Sequence, residues 1–128
     1  MKPQKSSINR EEKPPAYSPR ELDAIVEEAT IDSYGFDEEL GSWAVYLEDE
    51  LVFPFPVRVI GKAVQAIGVE ERDGVVKLKV KSSDKQYWID LLDVEIVKRA
   101  GETNRNELLI LAYRRWFSPD GNIPDYEE

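Results

Sequence analysis

The spacing of apolar residues changes along this chain and divides it in two. Leu22, Ile25, Val26 and Ala29 recur three and four positions apart, with Asp23, Glu27 and Glu28 mostly between them. That spacing predicts a helix with one buried stripe. Ser18-Pro19-Arg20-Glu21 supplies its start: a capping serine, a proline where a missing N–H costs nothing, and a glutamate able to close a capping box. The helix is expected to end near Ile31. After Gly35 a second helix is predicted from about Asp37 to Leu51, because Leu40, Trp43, Ala44, Leu47 and Leu51 repeat the pattern. Pro54 and Pro56 end it.

Beyond Pro56 the period falls to two. Val76, Leu78 and Val80 alternate with Lys77, Lys79 and Lys81, which predicts a strand buried on one face. Strands are also expected over Val57 to Gly61, Lys62 to Val69, Gln86 to Asp90 and within Leu91 to Val97. Arg72-Asp73-Gly74 and Ser82 to Lys85 read as turns. Asn104 to Trp116 reads two ways: Leu108 to Leu111 would suit a strand, but a helix capped by Asn104 is favoured because Arg114 and Arg115 complement its dipole. The expected fold is α+β: two N-terminal helices packed on a small antiparallel, bent sheet or SH3-like partial barrel, followed by a short C-terminal helix. Residues 1–17 are polar and read as a disordered arm, 18–117 as a single domain, and 118–128 as an acidic tail.

Composition narrows the chemistry. None of the 128 residues is cysteine or histidine. Disulfides, thiolate metal sites and the commonest general base and zinc ligand are thereby excluded. A bound metal would meet only oxygen ligands, which favours hard cations such as calcium, magnesium or manganese. The net charge is −9, so nucleic acid and anionic membranes are not expected partners. The charge is also segregated. Pro19 to Phe55 carries 11 acids and one base, Arg20, whereas from Pro56 to Phe117 bases slightly outnumber acids. The chain has no apolar run long enough to span a bilayer and no apolar stretch near Met1, so a cytoplasmic location is expected. Phosphate-binding and nucleophile-elbow motifs are missing, and no enzyme activity is expected.

Three groups of residues remain as candidates. Asp32 lies in the loop before the second helix, and Asp37 and Glu38 open that helix, as a cation shell of carboxylates and loop carbonyls would require. Acids in a first helical turn are equally favoured by the macrodipole alone. The EF-hand loop pattern is absent. Glu48, Asp49 and Glu50 occupy the last turn, where the dipole opposes them; a cation or a basic protein partner there is weighed evenly against a plain solvated face, which a Lys or Arg from the sheet could neutralise. Glu38 and Asp49 are too far apart on one helix, roughly 16 Å, to share an ion. Lys77, Lys79, Lys81 and Lys85, with Tyr87 and Trp88, form the third group, a basic strand with aromatics of the kind nucleic-acid-binding sheets use; a solvated strand face protected by edge lysines accounts for it equally well and, given the net charge, is preferred.

The segments Asp32-Ser-Tyr34-Gly-Phe-Asp-Glu38-Glu-Leu40 and Leu47-Glu48-Asp49-Glu50-Leu51-Val-Phe53-Pro54-Phe55 carry a further signal. They resemble a small non-EF-hand calcium-binding protein family first recognised in cyanobacteria. The likeness continues through Val57 to Gly61, Asp73-Gly74, Ile89 to Glu95 and Ala112-Tyr113-Arg114-Arg115-Trp116. It spans roughly Ile25 to Trp116. Gly35 and Phe36 stand where that family often has an acid, Glu39 where it has glutamine, and Ser42 where it has glycine. The resemblance implies calcium as the bound ion and a calcium sensor or buffer as the role. Asp32, Asp37 and Glu38 would be ligands at the first loop, with Glu48, Asp49 and Glu50 forming a second cluster. The alternative is a metal-independent interaction module that presents an acidic helical face.

Overall fold

The computed structural model describes residues 17–97 and 104–118. The expected arm up to Ala16 and the tail from Pro119 onward lie outside those residues. Tyr17 is a correction to the arm: it is buried, and its hydroxyl donates to the Asn104 carbonyl at 2.7 Å. A tyrosine ring with a paired hydroxyl is a core residue, so the folded unit includes it.

The first helix, α1, covers Pro19–Ala29 and opens with the expected capping box. Glu21 N–H donates to Ser18 Oγ at 3.1 Å, and Ser18 N–H donates to Glu21 Oε1 at 2.9 Å. Its end comes at Thr30, whose hydroxyl bonds back to the Val26 carbonyl at 2.8 Å. The second helix, α2, covers Phe36–Glu50. Its stripe is buried as the spacing requires: Leu40, Trp43, Leu47 and the following Leu51 all face the core.

Five strands follow: β1 (Phe55–Val59), β2 (Lys62–Arg72), β3 (Val75–Ser82), β4 (Lys85–Asp90) and β5 (Glu95–Ile96). They form an antiparallel open sheet in the order β4-β3-β2-β1-β5. The expected first strand ran through Ile60 and Gly61, but these residues form the β1–β2 turn, with φ of 50° and 76°. Left-handed angles at both positions are what a two-residue hairpin turn demands. Gly68 does not end β2; the register shifts between Ala66 and Gly68, a bulge that bends the strand.

A third helix, α3, covers Arg105–Phe117 and is capped by Asn104, whose side chain accepts from Glu107 N–H at 3.0 Å. The helix prediction holds, but the two arginines near its end do more than complement the dipole. Arg114 is half-buried and donates to the carbonyls of Leu91 and Val94, closing the 3-10 turn Leu91–Asp93. Burial lowers its pKa, opposed by the nearby charges of Asp93, Glu107 and Asp90. Arg115 reaches Asp23 on α1 at 2.6 Å.

The helices cover one face of the sheet. α2 lies against β2 and β3, and α1 packs on α3 and α2. Val76, Leu78 and Val80 of β3 are fully buried beneath them, as the alternation predicts. Trp43 and Tyr113 fill the centre, with ring centroids 5.5 Å apart in an edge-on arrangement. The Tyr113 hydroxyl accepts from Val76 N–H at 3.2 Å and so ties α3 to the sheet. Among the described residues no helix is long and apolar enough to cross a membrane.

Candidate functional site

The connection between α1 and α2 is built from turn chemistry. Ser33 N–H donates to the Thr30 carbonyl at 3.1 Å, and Asp32 adopts a left-handed φ of 63°. Asparagine and aspartate reach that region at less cost than most residues. Gly35 stands at the N-cap of α2 with φ of 91° and ψ of 159°, a conformation that essentially only glycine adopts. Having no side chain, it cannot cap. Glu38 instead ties the helix to the connection, reaching back to accept from Tyr34 N–H at 2.9 Å. Asp32 and Asp37 are exposed and make no hydrogen bond or ion pair within the described residues. Their neighbour Glu39 accepts from the indole N–H of Trp116 at 2.7 Å.

At the other end of α2 the three acids divide. Glu48 and Asp49 are exposed and unpaired within the described residues. Glu50 is held by Arg105 at 2.7 Å. That hydrogen bond raises the Arg105 pKa, and partial burial opposes it. The neutralising base therefore comes from α3 and not from the sheet. Next to it, the Asn106 amide clamps Val52, accepting from its N–H at 3.1 Å and donating to its carbonyl at 3.2 Å. The Tyr46 hydroxyl donates to Glu28 Oε1 at 3.2 Å, and burial together with Glu28 pushes its pKa up to about 12.

The six predicted acids thus fall into two groups at opposite ends of α2. The structure brings Asp32, Asp37 and Glu38 to one connection and Glu48, Asp49 and Glu50 to one helical turn. Among the described residues, no three or more Asp or Glu side chains converge tightly enough to hold a metal by themselves. A shell at either place would need backbone carbonyls and water beside the carboxylates. The donor chemistry fits a hard cation in both, since every available ligand atom is oxygen.

The lysine group resolves as a strand face. Lys77, Lys79 and Lys81 alternate with the buried residues of β3 and so point away from the helices. Trp88 lies under Arg72 at 4.5 Å and near Lys79 at 5.7 Å. Lys77 pairs with Asp73 at 3.5 Å. Asp90 is occupied as the cap of the 3-10 turn, accepting from Leu92 N–H at 2.9 Å. The Arg105–Glu50 pair, the Asn106 clamp and the Trp116–Glu39 bond had no sequence signal, because each joins residues more than 50 positions apart.

A family model described as calcium binding, of the CcbP type, matches residues 23–117. The crystal structure of Anabaena CcbP has a similar fold: the TM-score is 0.66 at 20% identity, covering 80% of this chain and 93% of that one. A calcium binding protein solved in its calcium-binding form is also similar, with a TM-score of 0.63 at 18% identity over 84% of this chain and 98% of the other. No curated protein matches.

Proposed function

From the premise that the chain belongs to the CcbP calcium-binding family, we propose that it holds calcium at the α1–α2 connection and serves as a calcium sensor or buffer without catalytic activity. Calcium is the ion, and the oxygen-only donor set agrees with it. The observation that carries the site assignment is the contrast among the acids. Asp32 and Asp37 flank Gly35, stand exposed and have no partner within the described residues, whereas Glu39 and Glu50 are engaged by Trp116 and Arg105. Carboxylates left unpaired close together in sequence repel each other, and a bound cation relieves that repulsion. Glu38 would contribute whichever oxygen is not committed to Tyr34 N–H. Glu48 and Asp49, with Glu50 when Arg105 releases it, would form a second and weaker site. The acidic helical face is also suited to a basic protein partner.

Magnesium-free calorimetric titration with calcium tests this. Asp32→Asn should weaken calcium binding by about tenfold or more, and Asp49→Asn should have a smaller effect. If both variants bind calcium like the parent chain, the ligand assignment is wrong. If the parent chain binds none while a basic peptide still binds, the metal-independent interaction module is the better reading.

A further inference from the structure

The three helices form a concave surface that neither group of acids occupies. A groove of about 510 Å³ runs between α1, the first turn of α2 and the last turn of α3. Its walls are apolar: Val26, Phe36, Trp116 and Phe117. Phe36 stacks on Trp116 with centroids 5.3 Å apart and rings 11° from parallel, and it meets the edge of Phe117 at 6.1 Å. Despite these contacts Phe36 remains 53% exposed. Ile31 and Tyr34 on the same connection are exposed as well. Exposed apolar side chains beside a groove that is rimmed by polar groups suit it to take an apolar anchor.

The charge around the groove specifies what enters it. Asp23 and Glu39 line it. Each already accepts one set of bonds, from Arg115 and from the Trp116 indole, but an ionised carboxylate accepts several. Glu27, Asp37 and Glu38 on the same two helices are exposed, and no Lys or Arg occurs between Glu21 and Phe55. Arg115, the one base lining the groove among the described residues, is matched by Asp23. An acidic segment, including residues 119–128 of this chain with their four acids, would meet like charge here, as would nucleic acid.

We propose that this groove receives the apolar anchor of a basic amphipathic segment from a protein partner, with the segment's lysines or arginines lying over the acids of α1 and α2. The proposal deepens the basic-partner part of the reading above; because Asp37 and Glu38 serve both the calcium site and the acidic rim, its test is run without calcium.

The test follows the indole N–H resonances of Trp43, Trp88 and Trp116 in the full chain, in calcium-free buffer. One probe is a synthetic helical peptide of leucine and lysine with its leucines on one face; the other is an oligolysine of equal charge. The leucine–lysine peptide should bind at physiological salt and move the Trp116 resonance while Trp88 stays in place. Oligolysine should bind only at low salt. Phe36→Ala should weaken the first peptide by about tenfold or more, Phe36→Leu should retain most of the affinity, and Glu71→Gln, an exposed acid on β2, should change it by less than roughly twofold. Equal binding of both peptides with no effect of Phe36→Ala would overturn the groove while leaving the acidic face as a partner surface. Movement of Trp88 instead of Trp116 would move the site to the sheet and overturn the proposal. Binding of neither peptide would remove both the groove and the basic-partner reading, and the separate calcium titration would stand unaffected.

Discussion

Ile60 carries the sharpest conflict between a side chain and its backbone. It is β-branched, it has a φ of 50°, and it is 98% exposed, so nothing compensates through packing. A non-glycine residue held left-handed costs on the order of 1 kcal/mol, and more for a branched one. Asn-Gly is the sequence such a hairpin turn prefers. Ile60→Asn should therefore stabilise the protein by about 1 kcal/mol, seen as a higher thermal midpoint; an unchanged or lower midpoint would mean that Ile60 makes contacts that matter. Tyr113 presents a different residue-scale tension. Burial pushes its hydroxyl up to about 12, against roughly 10 in the unfolded chain. The folded state thus holds this proton more tightly than the unfolded state does. The resulting stability is complete below roughly pH 10 and is lost as pH rises toward 12. Denaturant midpoints measured through that window should fall by an amount equivalent to roughly 2 kcal/mol. Tyr46, also raised to about 12, contributes in the same window, so Tyr113→Phe should reduce that fall without abolishing it, while costing about 1–3 kcal/mol at neutral pH because Val76 N–H loses its acceptor.

At the scale of elements, α2 has like charge at both ends, and only one end suits it. Asp37, Glu38 and Glu39 sit in its first turn, where the helix dipole favours them. Glu48, Asp49 and Glu50 sit in its last turn, which contains no base of its own. Arg105 on α3 offsets one of the three, and Glu48 and Asp49 remain. Asp49→Asn should leave the calcium-free protein equally stable or more stable by a few tenths of a kcal/mol, since an unfavourable dipole interaction disappears. In saturating calcium the same variant should gain less stability than the parent if the ion uses this turn. A pair of melts with and without calcium reads both quantities, and an equal calcium increment in the two proteins would take Asp49 out of the ligand set. The α1–α2 connection lacks this complication, because Asp32 belongs to no helix.

Across the whole molecule the charge is layered. The acids concentrate on the two N-terminal helices, and Lys77, Lys79 and Lys81 lie on the far side of the sheet. A net charge of −9 with most of it on one layer makes the compact state repel itself. A divalent cation taken up by oxygen ligands relieves that strain more than simple screening does. Calcium should consequently raise the thermal midpoint more than zinc, and more than potassium chloride at matched ionic strength. A larger shift with zinc would contradict an oxygen-only site. An equal shift with potassium chloride would show that screening alone accounts for the gain.

The sequence by itself determined the elements and the kind of ligand. The two N-terminal helices were legible because a stripe or cap is a local pattern: Ser18 with Glu21, and Leu40 to Leu51; in the last helix Leu108 to Leu111 also suited a strand, and Asn104 with Glu107 and the terminal arginines tipped the reading. The sheet was legible from the alternation in β3 and from Asp73-Gly74. The absence of cysteine and histidine limited any metal to oxygen ligands before a fold was known. The turn at Ile60 was not legible, because a branched apolar residue signals strand and only the pairing of β1 with β2 forces it left-handed. Which acids stay free was decided by tertiary structure alone. Asp32 and Glu39, or Asp49 and Glu50, are chemically alike in sequence. They differ because α3 crosses to bring Arg105 beside Glu50 and Trp116 beside Glu39. Contacts between residues so distant along the chain depend on how the packed helices are placed, and local periodicity carries no record of that.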